Sequence, residues 1–271
     1  MPAWTLNDIP WEKFDRSRVD PTIVPIVKAA SLVEYNADDY RRYLCEIFPE
    51  DPKVQKAIDG WSREEVQHGL ALGRWAEMVD PDFNFHESFK RFTELFHLPH
   101  GATESVRGSR TGEMIARCMV ETGTSSYYSA LADATDEPVL KAICRNIAND
   151  EIAHYWLFYN QMQRFIEVEQ LGFWQRLRIA MGRIAETEDD ELASAYYAAN
   201  GRDMPYDRRA NFEAYRCAAL RYYKPTHVER GAGMVFKAIG VPPESRFGRM
   251  LTRVACTMFF AKVRRMIAAP T

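Results

Sequence analysis

Two copies of a Glu-x-x-His motif constrain this chain more than any other feature of its sequence. The first copy is Glu65 with His68, and the second is Glu151 with His154. On an α-helix, residues three positions apart lie on the same face, so each pair can direct both side chains to one point. Both motifs are therefore expected on helices that turn these faces toward the interior.

Two further glutamates complete the pattern of a carboxylate-rich metal site. Glu34 and Glu121 lie on segments with helical periodicity, and four inward glutamates with two histidines form the ligand set of a two-metal site in a four-helix bundle. Four buried carboxylates would repel one another unless cations balance them. Oxygen and imidazole ligands favour two iron ions, with manganese as the alternative. Spacing alone leaves open which carboxylates bridge the metals.

Apolar periodicity and turn residues predict long helices with distinct breaks between them. The predicted helices of the first part of the chain are at about 21–48, 52–79, 85–98, 109–132 and 138–170. Short, long and short connections between the four long helices predict two antiparallel hairpins joined by one crossover, the ferritin-like arrangement. The four glutamates lie about 13 to 15 residues from their turns, which at 1.5 Å per residue places them in one layer.

The rest of the chain is expected to extend this bundle. Residues 1–18 read as an arm whose two tryptophans pack onto the body, and five more helices are predicted at about 173–187, 189–199, 206–223, 226–239 and 245–267. Short helices need other helices to pack against. We therefore expect one all-α domain over 1–271, with the diiron bundle at about 21–170 and a C-terminal helical extension at about 171–268.

Composition excludes several other classes of protein. A hydrophobic content of 46% with 27% charged residues is typical of a soluble globular protein, and a net charge of −3 gives no reason to expect nucleic acid as a partner. Five cysteines without a Cys-x-x-Cys argue against a zinc ribbon or a rubredoxin-type iron site and suggest reduced core cysteines in a cytoplasmic protein. The sequence shows no signal peptide and no uncharged apolar run near the roughly 20 residues of a membrane span.

Other polar residues of the sequence are assigned outside the ligand set. Asp150 and Glu64 precede ligands and could each hydrogen-bond the second ring nitrogen of a ligand histidine on a facing helix. A third pair, Glu94 with His97, has no partner copy and is interpreted as a surface pair. Three further histidines are also expected at the surface: His86, His100 and His227.

The motifs resemble those of the soluble acyl-carrier-protein desaturase family, a branch of the ferritin-like diiron proteins. The second-helix signature Trp-x-x-Glu-Glu-x-x-His-Gly is matched by Trp61, Glu64, Glu65, His68 and Gly69. The fourth-helix Asp-Glu-x-x-His is matched by Asp150, Glu151 and His154, and the third-helix ligand with a threonine three residues later by Glu121 and Thr124. The resemblance covers about 25–165. The family usually has two adjacent glutamates at the first ligand, whereas here Glu34 stands alone, and the C-terminal third shows no match.

The resemblance implies an O2-dependent oxidoreductase that acts on an unactivated C–H bond of a largely apolar or acyl substrate, which a carrier can hold. Desaturation and hydroxylation both remain open. It also implies that Glu65 and Glu151 bridge two irons while Glu34 and Glu121 are terminal ligands. Thr124 would be a proton donor or polar support near the oxygen. Trp61, Asp150 and His68 would form an electron route from an external donor such as a ferredoxin.

The last predicted helix is basic and has no acidic residue from Arg246 onward. It is either a solvated basic face or a docking surface for an acidic carrier protein, an acidic ferredoxin or an anionic membrane surface. The candidate docking residues are Arg249, Arg253, Lys262, Arg264 and Arg265. A homodimer is also compatible with the sequence.

Two alternative functions remain beside the oxygenase hypothesis. The first is a diiron peroxidase or iron-oxidising protein of the rubrerythrin or ferritin type, against which the sequence has no rubredoxin motif and about 100 residues beyond the bundle. The second is a non-catalytic helical protein that binds metal or a partner. An apolar tunnel beside the metals would favour the oxygenase, and a solvent-open site would favour the peroxidase.

Overall fold

The described part of the chain is entirely helical. The computed structural model describes residues 4–98, 100–186, 190–201 and 204–268, and none of these residues lies in a strand. Three short 3-10 turns precede the first α-helix. The α-helices are α1 (Val24–Tyr35), α2 (Ala37–Ile47), α3 (Pro52–Val79), α4 (Phe85–Leu95), α5 (Arg110–Ala134), α6 (Pro138–Glu169), α7 (Phe173–Ala185), α8 (Asp190–Asn200), α9 (Arg208–Leu220), α10 (Pro225–Ala238) and α11 (Arg246–Ala268). The all-α prediction is confirmed, whereas the ferritin-like bundle stays a prediction.

The long helix α3 begins where its sequence signals predict. The side chain of Asp51 accepts hydrogen bonds from the backbone N–H groups of Lys53 at 3.1 Å and Val54 at 3.0 Å. Pro52 occupies the first helical position, where a missing N–H is harmless. This cap fixes the register of the 28-residue helix that presents Glu65 and His68.

The first predicted helix is wrong as a single element. The structure divides it at Asn36, whose backbone N–H donates to the carbonyl of Val33 at 3.1 Å, a three-residue turn that ends α1. Asparagine is a poor residue for a helix interior because its side chain competes for backbone hydrogen bonds. Glu34 therefore lies in the last turn of α1, two residues before the break.

The chain forms two compact units, each made of separate segments. Unit 1 is Met1–Thr103, Leu131–Ile147 and Glu188–Ala219, and unit 2 is Glu104–Ala130, Ala148–Thr187 and Leu220–Thr271. Both α5 and α6 contribute residues to each unit. These limits differ from the predicted bundle and extension, because α8 belongs to unit 1 although it lies beyond residue 170. The single-domain assignment stays a prediction.

In unit 1, helix α1 packs against α3 and α8, and α4 also packs against α8. The side-chain amide of Asn200 donates to the carbonyl of Pro25 at 3.1 Å, and Arg91 donates to the carbonyl of Ala198 at 2.8 Å. In the same unit, the buried indole of Trp75 donates to the carboxylate of Glu137 at 2.8 Å. Helix α8 thus braces α1, the helix that carries Glu34.

In unit 2, helix α10 packs across α5 and α6. Arg230 donates to the carbonyl of Ser125 at 3.1 Å and to the hydroxyl of Ser129 at 2.7 Å, while the Tyr155 hydroxyl donates to the carbonyl of Met234 at 2.7 Å. Gly231 permits this approach, since a Cβ there would lie 2.9 Å from Ser126 Oγ. Helix α10 therefore covers the stretch of α5 that follows Thr124.

Among the helices that the structure describes, none has both the length and the apolar character needed to cross a bilayer.

Candidate metal centre

Unit 1 brings Glu34, Glu65 and His68 together as a buried triad. The Nδ1 atom of His68 lies 3.3 Å from Glu65 Oε2 and 3.6 Å from Glu34 Oε2. Each of the three residues offers one ligand atom, and these atoms lie within 4.8 Å of one another. Their exposed fractions are only 7%, 5% and 0%, so bulk water does not screen the two carboxylates.

Close contact between α1 and α3 positions this triad. A Cβ built on Gly69 would lie 2.6 Å from the backbone nitrogen of Tyr35 and 2.8 Å from its Cα atom. Only glycine permits so short an approach between two helix backbones. Gly69 directly follows His68, and Tyr35 directly follows Glu34, so the contact lies beside the ligands.

The indole ring of Trp4 stacks on the imidazole ring of His68. The two rings are parallel within 2°, with centroids 5.9 Å apart, and Trp4 is 6% exposed. The side-chain amide of Gln67 donates to the carbonyl of Trp4 at 3.0 Å and holds the arm there. The arm was expected to pack onto the body, and the contact of Trp4 agrees with this. Trp61 is also buried, on α3, and its role in an electron route stays a prediction. Nothing in the sequence distinguishes Trp4 from Trp11, the other tryptophan of the arm.

Unit 2 brings Glu121, Glu151 and His154 together as a second triad. The Nδ1 atom of His154 lies 3.8 Å from Glu121 Oε2 and 3.9 Å from Glu151 Oε1. Again one ligand atom from each residue lies within 4.8 Å of the others. The three side chains are 1%, 1% and 3% exposed. Both histidines thus turn Nδ1 toward their two carboxylates.

The hydroxyl of Thr124 contacts the second triad directly. Thr124 Oγ1 donates to Glu151 Oε2. The backbone carbonyl oxygens of Val120 and Glu121 lie 3.2 and 3.3 Å from Thr124 Oγ1. One hydroxyl has one proton, so these acceptors compete for it. The role of Thr124 in oxygen chemistry stays a prediction, although its position beside a ligand carboxylate is now defined.

A buried arginine also contacts the second triad. Arg117 Nη2 donates to Glu121 Oε1 at 3.0 Å, one helical turn away on α5, and the guanidinium lies 5.6 Å from the ring centroid of Phe158. Arg117 is only 6% exposed. Sequence reasoning missed it, although the four-residue spacing of Arg117 and Glu121 is the available signal.

Each triad fits a divalent cation by its donors and its dimensions. Metal–ligand bonds of about 2.0–2.3 Å place two ligands of one ion at most about 4.6 Å apart, so the observed spread within 4.8 Å needs little adjustment. Two carboxylates and one imidazole suit iron or manganese. Carboxylates at such depth need positive partners. Arg117 is one such partner for Glu121, and a bound metal ion would supply further positive charge. These buried glutamate and histidine clusters could therefore hold metal ions.

The structure places the remaining predicted residues in different surroundings. Asp150 is buried on α6 and Glu64 is half-buried on α3, and their second-ligand roles stay predictions. Glu94 and His97 are both exposed, as expected for a surface pair. The candidate docking residues on α11 are all exposed: Arg249, Arg253, Lys262, Arg264 and Arg265.

One histidine differs from its predicted environment. His227 is 5% exposed, and its Nδ1 accepts a hydrogen bond from the backbone N–H of Lys224 at 3.1 Å. It therefore caps the first turn of α10 and is not a surface histidine. His86 and His100 are exposed as expected.

The cysteines have the reduced, structural character that the sequence indicates. All five are free thiols, and Cys118, Cys144 and Cys256 are buried. Burial raises the pKa of Cys118 well above its usual value and that of Tyr155 likewise. Both groups therefore stay protonated at neutral pH and serve as packing residues and hydrogen-bond donors.

A cleft of about 350 Å³ in unit 1 adjoins the first triad along the chain. Tyr35 and Val66, which directly follow Glu34 and Glu65, line it together with Phe89 and Phe96. Asp38, Asp39 and Arg42 also line it, and Asp38 binds Arg42 at 2.8 Å. The cleft thus combines aromatic and charged lining residues.

Neither a protein-family model nor a curated protein matches this sequence.

Proposed function

We propose that this chain is a non-haem diiron oxidoreductase that uses O2 to oxidise an unactivated C–H bond of a largely apolar substrate. The observation that carries the proposal is the pair of buried Glu-Glu-His triads, one built on each Glu-x-x-His motif. Each triad would hold one iron. The similar distances of Glu65, Glu121 and Glu151 from their helix turns, and the resemblance to the desaturase family, support joint action of the two irons in one layer.

If the two triads held ferrous ions, these would supply a binding site and electrons for O2, which apolar side chains alone cannot activate. The protein residues supply the surroundings. Burial of all six ligands excludes bulk water and strengthens electrostatic interactions around the carboxylates. Thr124 holds a proton at its hydroxyl beside Glu151, and Arg117 holds one oxygen of Glu121 in place.

The balance of the reaction requires an external electron donor. Desaturation removes two hydrogen atoms from the substrate and reduces O2 to two waters, which takes two more electrons and two protons. Hydroxylation inserts one oxygen atom and forms one water, with the same requirement. The sequence has no flavin, iron–sulfur or rubredoxin motif, so these electrons come from a separate protein such as a ferredoxin.

Ligand burial favours an oxygenase or desaturase over a peroxidase of the rubrerythrin or ferritin type. A solvent-open site would favour such a peroxidase, whereas the ligands here are 0–7% exposed. The aromatic wall of the cleft beside Tyr35 also suits an apolar substrate.

The first experiment is reconstitution with Fe(II) in the absence of O2, followed by measurement of iron per chain and of the optical spectrum after mixing with O2. We expect two irons per chain, rapid O2 consumption and a new absorption of oxidised iron. Addition of a chemical reductant and acyl or hydrocarbon substrates should then give a product with a double bond or a hydroxyl.

The chain offers a matched control for this experiment. Glu94→Ala changes the same residue type in the exposed third Glu-x-x-His pair and should leave iron content and O2 consumption unchanged. Glu65→Ala should lower both while the helical circular dichroism spectrum persists. Equal iron content in Glu65→Ala and the wild-type protein would refute the ligand assignment.

A further inference from the structure

The outer face of α11 has an uncovered apolar stripe. Phe247, Met250, Val254 and Met258 are spaced three or four residues apart and therefore lie on one side of the helix. Their exposed fractions are 56%, 51%, 49% and 67%. The opposite side packs inward, since Cys256 and Val263 are buried. The stripe is thus additional to the face that holds α11 in unit 2.

Basic residues lie along both sides of this stripe. At 100° per residue, Arg253 and Arg264 fall on one flank, Lys262 falls on the other, and Arg265 continues the stripe itself. All four side chains are exposed. No residue of α11 is acidic. A face of this kind combines apolar side chains in the middle with long cationic side chains that can extend outward beside them.

Helix α7 of the same unit repeats the combination. It has three arginines and no acidic residue, and Trp174 and Met181 on it are 76% and 55% exposed. Arg176 of α7 lies against Gly240, six residues before α11. A Cβ built on Gly240 would lie only 2.7 Å from the guanidinium of Arg176. In the described part of the chain, seven of the thirteen exposed large hydrophobic side chains are on these two helices.

We infer that this surface, the outer face of α11 with α7, binds an anionic phospholipid membrane. Exposed Trp, Phe and Met beside Lys and Arg are the composition of helices that lie in the headgroup region, with apolar side chains inserted and cations at the phosphates. A second copy of the chain is a poor occupant, because a symmetric contact would place like charges against each other. The inference concerns only unit 2 surface residues and is independent of the proposed iron chemistry.

The test is flotation of the purified protein with vesicles of phosphatidylglycerol and phosphatidylcholine, or of phosphatidylcholine alone. We expect binding to the anionic vesicles, weaker binding to the neutral ones, and release at high salt. Each basic residue near an anionic surface contributes about a fivefold factor in partitioning. Arg253→Glu with Lys262→Glu should therefore weaken binding by about 25-fold or more.

Matched variants show whether vesicle binding depends on this surface or on the total charge and exposed apolar area of the protein. Lys56→Glu with Arg145→Glu changes the net charge equally at exposed positions of unit 1, and should leave binding within about twofold. Met258→Ser should weaken binding about tenfold, whereas Met204→Ser, 68% exposed in unit 1, should not.

Three outcomes would overturn the inference. The first is equal binding to neutral and anionic vesicles, and the second is unchanged binding of both α11 variants. The third is a dimer in sedimentation that Met258→Ser dissociates while wild-type protein fails to float, which would assign the stripe to a contact between copies. Glu65→Ala should bind vesicles as the wild-type protein does, whatever its iron content.

Discussion

Gly69 shows how one residue type can fix the geometry of a ligand pair. Its α-carbon lies so close to the backbone of Tyr35 that a methyl group would overlap it. Replacement by alanine must therefore push α1 away from α3 beside Glu34 and His68. We expect Gly69→Ala to lower the free energy of unfolding by about 1–3 kcal/mol and to lower the metal content of the protein.

The same helix provides the control for this prediction. Gly60 also lies in α3, and a Cβ there would meet no atom within 4 Å. Gly60→Ala should raise stability by up to about 1 kcal/mol, because alanine is the better helix former. Urea unfolding of both variants, with and without Mn(II), measures the effect. A Gly69→Ala protein as stable and as well loaded as Gly60→Ala would contradict the close-contact argument.

Arg117 supplies a second prediction at the scale of single residues. Its guanidinium is the buried positive partner of Glu121. Loss of one member of a buried ion pair destabilises by about 3 kcal/mol, so Arg117→Met should weaken the metal-free protein by this amount. A bound cation replaces the missing positive charge, and the loss should then shrink to about 1 kcal/mol of packing.

Urea unfolding at zero and saturating Mn(II) measures this difference directly. Arg145→Met, an exposed arginine on α6, should change stability by less than about 0.5 kcal/mol in both conditions. If the loss in Arg117→Met were equal with and without metal, the arginine would be a packing residue with no electrostatic link to Glu121.

The ligand residues could be read from the sequence because their chemistry and spacing are unusual together. The two residues of a Glu-x-x-His pair are only three positions apart, so an error of a few residues in the predicted ends of the helix does not change their shared face. Trp4 and Arg117 were missed for different reasons. The contact of Trp4 with His68 joins residues 64 positions apart and depends on the path of the arm, whereas Arg117 has a local partner but an ordinary charge pattern. Long-range contacts leave no periodic signal in one sequence.

At the scale of helices, the caps and Pro signals predicted α3 well, while Asn36 was overlooked. The apolar pattern continues through this residue, so periodicity alone favours one long helix. The break depends on a backbone hydrogen bond to Val33 and on the turn geometry of one residue, Asn36. The free energy of such a local turn is smaller than that of the packing that stabilises a helix. The sequence pattern therefore does not show where the helix is interrupted.

Glu169 provides a prediction about how two helices are joined. It lies at the end of α6 and accepts hydrogen bonds from the backbone N–H groups of Thr111 at 2.8 Å and Arg110 at 3.2 Å, at the start of α5. Burial alone would raise the pKa of Glu169, but these bonds outweigh it and hold the pKa below the usual 4.5. Glu169→Gln should lower stability by about 1 kcal/mol at neutral pH.

The sign of the pH dependence follows from the lowered pKa. A carboxylate with a lower pKa in the folded state stabilises the protein above its unfolded pKa, and this contribution disappears as pH falls through the folded value. The stabilities of Glu169→Gln and wild type should therefore converge below pH 4.5, the usual value. Glu167→Gln changes an exposed neighbour on α6 and should differ little at any pH. If the stability difference between Glu169→Gln and wild type did not change with pH, it would arise from the shape of the side chain and not from its charge.

For the whole molecule, the sequence predicted the helical class and the approximate positions of nine of the ten breaks between α1 and α11, but not the grouping of helices. Helix α8 lies beyond the resembling region, yet it packs on α1 in unit 1. Its contacts through Asn200 and Ala198 join residues more than 100 positions apart. A resemblance limited to about 25–165 gives no partner for a helix outside that range, so this packing could not be derived.

The last prediction concerns the number of metals that one chain binds. If Glu65 and Glu151 bridge two ions, as the family resemblance implies, each of Glu65→Ala and Glu151→Ala should reduce Mn(II) content from two per chain toward zero. Glu34→Ala removes a terminal ligand and should leave about one. Binding also stabilises the folded state, by about 2.7 kcal/mol for one site at a metal concentration of 100 times Kd, so Tm should rise with metal in the wild-type protein and hardly at all in Glu65→Ala.

Electron paramagnetic resonance distinguishes a bridged pair from two separate sites. Two Mn(II) ions that share carboxylates couple magnetically and lose the six-line signal of an isolated ion. We expect the coupled signal in wild type and a six-line signal in Glu34→Ala. If the triads instead act independently, Glu65→Ala would retain one Mn(II) with an isolated signal and half of the thermal stabilisation. That result would leave two metal-binding triads but remove the basis for two-iron activation of O2, because each ion would then act alone.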